Sequence, residues 1–345
     1  MRRRAAGLAV VAAALVALIA APVRAVAAAA PATPQLYYTT NYPPQLKVAS
    51  YRAAGDEIQV GTPRLVTKLP AADGLAYLAD GTFLVGGSKT GNVYKVNPDT
   101  GAYTTQPSGI PTAFHVTVAP DGSTAWTAGL PGQLASVPLK PFGPGHAANL
   151  KGDDQAVTTI GFSPAGTFYT SSTSYGSGSF GTVNLTSLVT KRTLADQRGA
   201  HGFTYDAFTK DVFLVGSYLI VQIDPTHPDA VVSERVFPSM SFDQAISDGQ
   251  GHLLAASNSG DVVLVDFSAT SQVGSKSTVV SRAFLDSNLD DIATRGPLTL
   301  SATSTTAATS GGSGSKTTKL VVLIGLVVLL VGGFLAFRAR QPKQD

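Results

Sequence analysis

Six residues of types that do chemistry recur at comparable places along this 345-residue chain: His115, Thr159, His201, Asp243, Asp290 and Asp291. Two imidazoles and up to three carboxylates are the donors that hold a divalent cation. Ca, Mn or Zn would be selected by how many nitrogens and oxygens reach it. The same residues would equally serve as the polar mouth of a water-filled channel. They lie far apart in sequence, so either role requires a fold that gathers them.

Other chemistry is thinly represented. The chain has no cysteine, which removes thiol catalysis, zinc-thiolate sites and disulfide staples together. The only glutamates are Glu57 and Glu234. His146 in "KPFGPGHAAN" and His227 in "DPTHPD" read as exposed turn residues, and His252 as a satisfied residue opening a strand. No Lys follows the glycines of "SSTSYGSGSFG", so that stretch is a flexible hairpin and not a phosphate loop. No G-x-S-x-G elbow is present. Trp126 and the Phe and Tyr residues alternate along apolar runs, as packing residues do.

The gathering fold is legible as a repeat. "LAYLADGTFLVGGSKTGNVYKVNPDTG" from Leu75 has counterparts starting at Val116, Ile160, Phe203 and Gln244. Each is a short apolar run, a turn on Asp-Gly or a relative, a second run ending in small residues, a Gly-containing turn and a third run. The turn glycines Gly81, Gly122, Gly166 and Gly251 are separated by 41, 44 and 85 residues, the last spanning two repeats. The skipped repeat has Thr209-Lys210 at its turn. Runs of this length between Gly/Asp/Pro turns are antiparallel strands, and a period of about 40–45 residues is that of a β-propeller blade. A sandwich with regular turns is the competing architecture, but it does not keep one motif in step over five cycles.

Five blades over 74–285 leave three strands upstream ("QLYYTT", "QLKVASYR", "PRLVTKL") and a lone strand within "SNLDDIATRGPL". Three and one make a sixth blade shared by the two ends, with the C-terminal strand innermost. The expected fold is therefore all-β, a six-bladed propeller over 35–297 closed by N- and C-terminal strands. Aligned on their turns, the repeats bring Gly74, His115, Thr159, Gly202 with His201 before it, Asp243, and Asp291 with Asp290 before it to one channel mouth.

The phrases "APDG" and "TAW" within 119–126, and "DGTFLVGG" and "GNVYKVNPDTG" within 80–101, resemble the six-bladed propellers of the NHL, gluconolactonase and streptogramin-lyase-like superfamily. The resemblance covers 35–300 and implies the fold. It also implies two catalytic patterns: Glu, Asn and Asp around a metal in the gluconolactonase-like group, and His/Glu/His in streptogramin lyases. Glu57 and Glu234 fall in a loop or outer strand on the blade reading, so neither pattern carries over.

The ends read as addresses. Arg2, Arg3 and Arg4, an apolar run and Ala25-Val26-Ala27 make a signal peptide over 1–27, followed by a linker at 28–34. Residues 298–319 are a Ser/Thr/Gly spacer, and eighteen uncharged residues, 320–337, make a single transmembrane helix before a basic cytoplasmic tail, 338–345. Nine of the 25 basic residues but only one of the 22 acidic ones belong to these ends, so the exported part is acidic and offers no nucleic-acid footprint. The expectation is a monomeric propeller in a bacterial envelope, anchored by one helix with its N-terminal domain outside the cell membrane. It would bind a protein, peptide or glycan, or, alternatively, act as a metal-assisted hydrolase or lyase at the channel mouth.

Overall fold

The computed structural model describes residues 33–300, apart from 55, 56, 130, 131, 155, 175, 176 and 196–199. The expected signal peptide, the transmembrane helix at 320–337 and the tail lie outside the described residues. Among the described residues every regular element is a strand, and no helix is long and apolar enough to cross a membrane.

Six sheets follow one another along the chain, at 75–107, 116–149, 151–194, 200–236 and 242–284 (blades 1 to 5), and the sixth is shared by the two ends. In each of the first five, the four main strands follow chain order and pair antiparallel, and in blade 3 the short strand Lys151–Gly152 adds a parallel outer edge beside Val189–Leu194. In blade 6 the order begins with the strand Leu289–Thr294, then Gln35–Asn41, then Pro44–Ala54. Leu36 pairs with Thr294, Tyr37 with Ala293 and Tyr38 with Ile292. The innermost strands touch one another in sequence, and Leu289–Thr294 touches Leu75–Tyr77, which closes the ring. The fold is a six-bladed β-propeller.

The core is divided as the ring demands. Buried apolar residues form six clusters among the described residues, one at each blade-to-blade seam. A strand in the middle of a blade is therefore covered on both faces. In Val212–Gly216, Phe213 and Val215 pack toward blade 5, whereas Val212 and Leu214 pack toward blade 3. That is why "VFLVG" and "DVVLVD" are continuously apolar, although an antiparallel strand with one wet face would alternate. The outermost strands, such as Val231–Val236, are largely exposed.

Two details depart from the repeat. Pro44–Ala54 is long enough to serve two partners: Gln45–Val48 pairs with Arg64–Lys68, and Tyr51–Ala54 pairs with an additional strand, Glu57–Val60. That strand rests on Val279–Phe284 of blade 5, with Ile58 N–H donating to Ser281 Oγ at 2.9 Å. It straps the last seam from outside. The second departure is the glycine-free turn of blade 4. Gly81, Gly122 and Gly251 take φ of 88°, 63° and 94° at the corresponding turns, and Lys210 takes 65° in their place. Asp206 compensates by capping: its Oδ2 accepts Thr209 N–H at 2.9 Å, and its carbonyl accepts Lys210 N–H at 2.9 Å.

These observations predict two outcomes. Lys210→Gly relieves a left-handed residue and should raise unfolding free energy by about 1 kcal/mol, whereas Gly81→Ala, where a Cβ meets nothing within 4 Å, should lower it by about as much through backbone strain alone. Urea unfolding measures both. Deleting 287–298 removes the innermost strand of blade 6 and should abolish the cooperative monomer transition; a monomer melting like the full chain would refute closure by this strand.

Candidate metal and ligand site

The site grows out of a recurring irregularity in the innermost strands. In blade 3, Val157 pairs with Ser171 and Thr159 with Thr170, which leaves Thr158 as an extra residue. In blade 4, Ala200 pairs with Gly216 and Gly202 with Val215, so His201 is extra. In blade 5, Phe242 pairs with Ser257 and Ala245 with Ala255, so Asp243 and Gln244 share one opposing position. In blade 6, Asp290 and Asp291 together oppose Thr39, between Tyr38↔Ile292 and Thr40↔Leu289. Each is a β-bulge at the same level of the ring. A bulge breaks the two-residue alternation and re-aims a side chain. Here it turns residues from four blades toward the axis.

Blades 1 and 2 reach the same level without a bulge, because their innermost strands are only three residues long. Asp73 precedes Leu75–Tyr77, and His115 precedes Val116–Val118. Gly74 permits this crowding: a Cβ built on it would lie 2.5 Å from both His115 Cα and Val116 N.

The result is a cluster of buried charge. His115, Asp73, Asp243, Asp290 and Asp291 are all less than 10% exposed. His115 Nδ1 lies 3.0 Å from Asp291 Oδ2, its Nε2 lies 3.6 Å from Asp243 Oδ1, and His201 Nδ1 lies 3.4 Å from the same oxygen. Thr39, fully buried, stitches the floor: its hydroxyl donates to the Asp73 carbonyl at 2.7 Å and accepts Asp291 N–H at 3.1 Å. Asn41 Nδ2 donates to Asp290 Oδ1 at 2.9 Å. Among the described residues, Asp290 Oδ2 and Asp291 Oδ1 are buried without a hydrogen-bond partner.

Above the floor opens a cavity of about 400 Å³. Tyr42, Phe114 and Phe242 supply aromatic wall, and Asn41, Asn258 and Asn288 supply amides. Among the described residues that line it there is no lysine or arginine. Lys89 lies outside, with its ammonium 4.0 Å from the centre of the Tyr42 ring.

Burial and mutual repulsion dominate the electrostatics. Burial pushes Asp73 well above the usual carboxylate range, and the Asp243 and Asp291 charges add to it against His115. Asp290 is raised likewise, by burial and then by Asp73 and Asp243. Burial also raises Asp291, with His115 opposing. For His115, burial acts downward, but the Asp291, Asp243 and Asp73 carboxylates prevail and carry the imidazole up to about 10. Asp243 moves the other way: burial opposes its charge, yet His201, His115 and the neighbouring Asp290 carboxyl hold it below the usual range. Four carboxylates thus face two imidazoles, and the ring is short of positive charge.

Of the six residues expected at the mouth, the structure brings five together: His115, His201, Asp243, Asp290 and Asp291. Thr159 is buried, but it is Thr158, the bulge residue, that lines the cavity. The one-residue displacement is the bulge itself, which no turn-based alignment registers. Asp73 was not anticipated. Its signal was present: it precedes Gly74 as His201 precedes Gly202 and Asp290 precedes Asp291. The remaining histidines lie elsewhere. His252 Nδ1 is 2.7 Å from Asp248 Oδ2, His227 occupies an exposed turn, and His146 opens the outer strand His146–Asn149 where a turn was expected. Glu57 and Glu234 sit exposed on outer strands.

No family model and no curated protein matches the chain. Solved structures that it resembles include a calcium-binding protein, regucalcin, from Agrobacterium tumefaciens strain C58, at 15% identity and TM-score 0.47, covering 62% of this chain and 74% of that one. Hydrazine synthase of Kuenenia stuttgartiensis resembles it at 16% identity and TM-score 0.48, covering 63% and 67%. A luciferin-regenerating enzyme does so at 13% identity and TM-score 0.47, covering 62% and 76%. These likenesses concern the propeller fold and leave the chemistry to the residues just described.

The cluster predicts a trade of stability against charge. A raised carboxyl contributes stability that is fully present below its ordinary value of 3.8 and is lost as pH rises through the raised one. The contribution of Asp73, Asp290 and Asp291 to the stability of the metal-free chain should therefore fall from acid toward neutral pH. Asp290→Asn should flatten that loss and raise the neutral-pH melting temperature by roughly 2–4 °C, the equivalent of about 1 kcal/mol. A thermal melt series across pH checks it; a lower melting temperature for the variant at neutral pH would contradict the charge argument.

Proposed function

We propose that this chain is an exported, membrane-tethered β-propeller that binds a small ligand, or the end of a peptide or glycan, over a divalent transition metal at its channel mouth. The observation that carries the reading is the spacing of His115 Nε2, Asp243 Oδ1 and His201 Nδ1, at 3.6 and 3.4 Å. Donors about 2.0–2.2 Å from one tetrahedral ion lie roughly 3.3–3.6 Å apart. One donor atom from each of the three residues lies within 4.8 Å of the other two. The unpartnered oxygens of Asp290 and Asp291 and the shortage of positive charge also suit a cation. Two imidazoles favour zinc over calcium, which takes oxygen ligands, and the surrounding carboxylates also suit manganese.

The cavity supports the ligand half of the reading. Its volume, about 400 Å³, is in the range of small-molecule sites, and its acidic floor disfavours anions. The apolar 320–337 segment and the basic N-terminal leader support the tether and the export. The second reading, a metal-assisted hydrolase or lyase, is favoured by one feature: Asp73 and Asp290 line the same cavity and are pushed toward their protonated forms beside the metal donors.

Elemental analysis of the purified full chain should find close to one zinc or manganese per chain, lost in His201→Ala and in Asp243→Ala while the fold persists. A chain that binds neither metal would overturn the reading. If hydrolysis of an ester or lactone panel appears with the metal and vanishes in Asp290→Asn, the enzymatic reading replaces the binding one. Protease accessibility of the propeller on intact cells tests the topology.

A further inference from the structure

Resting on that metal-centred reading, one residue outside the cavity lining acquires a specific task. Asp291 is fully buried and is absent from the cavity lining, yet its Oδ2 lies 3.0 Å from His115 Nδ1. A carboxylate at Nδ1 keeps a proton on that nitrogen, so Nε2, on the opposite side of the ring, is the nitrogen that a metal would take in exchange for its proton. On that side Nε2 approaches Asp243 Oδ1, which also faces His201. We infer that Asp291 is the positioning residue that aims His115 Nε2 at the cation, and that its place on the closing strand makes cation binding depend on ring closure.

Asp291 and the residue after it are tied to three blades. Asp291 Oδ2 also accepts Leu75 N–H of blade 1 at 3.2 Å. Its own N–H donates to Thr39 Oγ1 at 3.1 Å within blade 6, and the next residue, Ile292, donates its N–H to Gln244 Oε1 of blade 5 at 2.9 Å. A tie between blades would need only a neutral acceptor. An asparagine would make the same two contacts without burying a charge beside three other carboxylates. The charge has a use where it raises the basicity of an imidazole that faces a metal. Asp291 reaches this position only when Leu289–Thr294 pairs with Gln35–Asn41, because both its register and its bulge are set by that pairing.

The test uses the full chain with Co²⁺ as the probe, read by its visible spectrum and by competition. Wild type should bind, and D291N should bind about 10–100-fold more weakly, with an altered spectrum and a metal-free melting temperature no lower than wild type. D291E should recover part of the affinity. Hydrogen exchange over 289–294 should slow on adding Co²⁺ to wild type and not to His115→Ala. D291N binding Co²⁺ as tightly as wild type with the same spectrum would overturn the inference alone. Should D291N fail to fold, D291E decides: affinity and spectrum identical to wild type overturn the inference, and weaker binding with a changed spectrum supports it. A wild-type chain that binds neither Co²⁺ nor zinc nor manganese overturns the reading of the preceding subsection, and this one with it.

Discussion

The ring depends on one pairing, that of Leu289–Thr294 with Gln35–Asn41. A propeller built from consecutive hairpins alone would have an open seam, with unpaired backbone and apolar faces exposed to foreign strands. Joining the two ends inside one blade makes every seam equivalent. The cluster at the last seam then includes Leu36 and Ile292 from opposite ends of the chain, packed against Leu254 and Leu264 of blade 5. The strap Glu57–Val60 strengthens the same place from outside. Closure is thus defended both at the axis and at the rim.

That pairing also carries the chemistry. The strand that closes the ring brings two of the cluster's four carboxylates, and its partner strand fastens them, Asp290 through Asn41 and Asp291 through Thr39. Burying like charges is costly, and no arginine or lysine among the cavity-lining residues offsets it. Four of the six innermost strands accept a bulge at the level where those charges gather. The irregularities are therefore concentrated where the ring is electrostatically least comfortable. Irregular pairing and unpaired polar atoms thus occur together at one cavity.

Much of the architecture was legible because it is repetitive. The glycine turns at 81, 122, 166 and 251 set the blade period, and the count of leftover strands required a blade shared by both ends. Lys210 shows that even a broken repeat can be read through, since the fold imposes a left-handed residue where the sequence does not supply a glycine. His115, His201, Asp243, Asp290 and Asp291 were legible as residues near strand starts. Thr158 and Asp73 were not, for related reasons. A bulge shifts the inward-facing position by one residue, and Asp73 stands one residue ahead of the aligned position.

By itself, then, the sequence determined the blade count, the order of the strands and the order in which the ends meet, because period, turn chemistry and apolar runs are local properties of the chain. Tertiary structure alone decided which side chains face the axis, that Asp73 joins them, and which carboxyls are pushed above the usual range. Those outcomes depend on one-residue register shifts between neighbouring strands and on fields summed over four blades. Neither is encoded within any single stretch of residues.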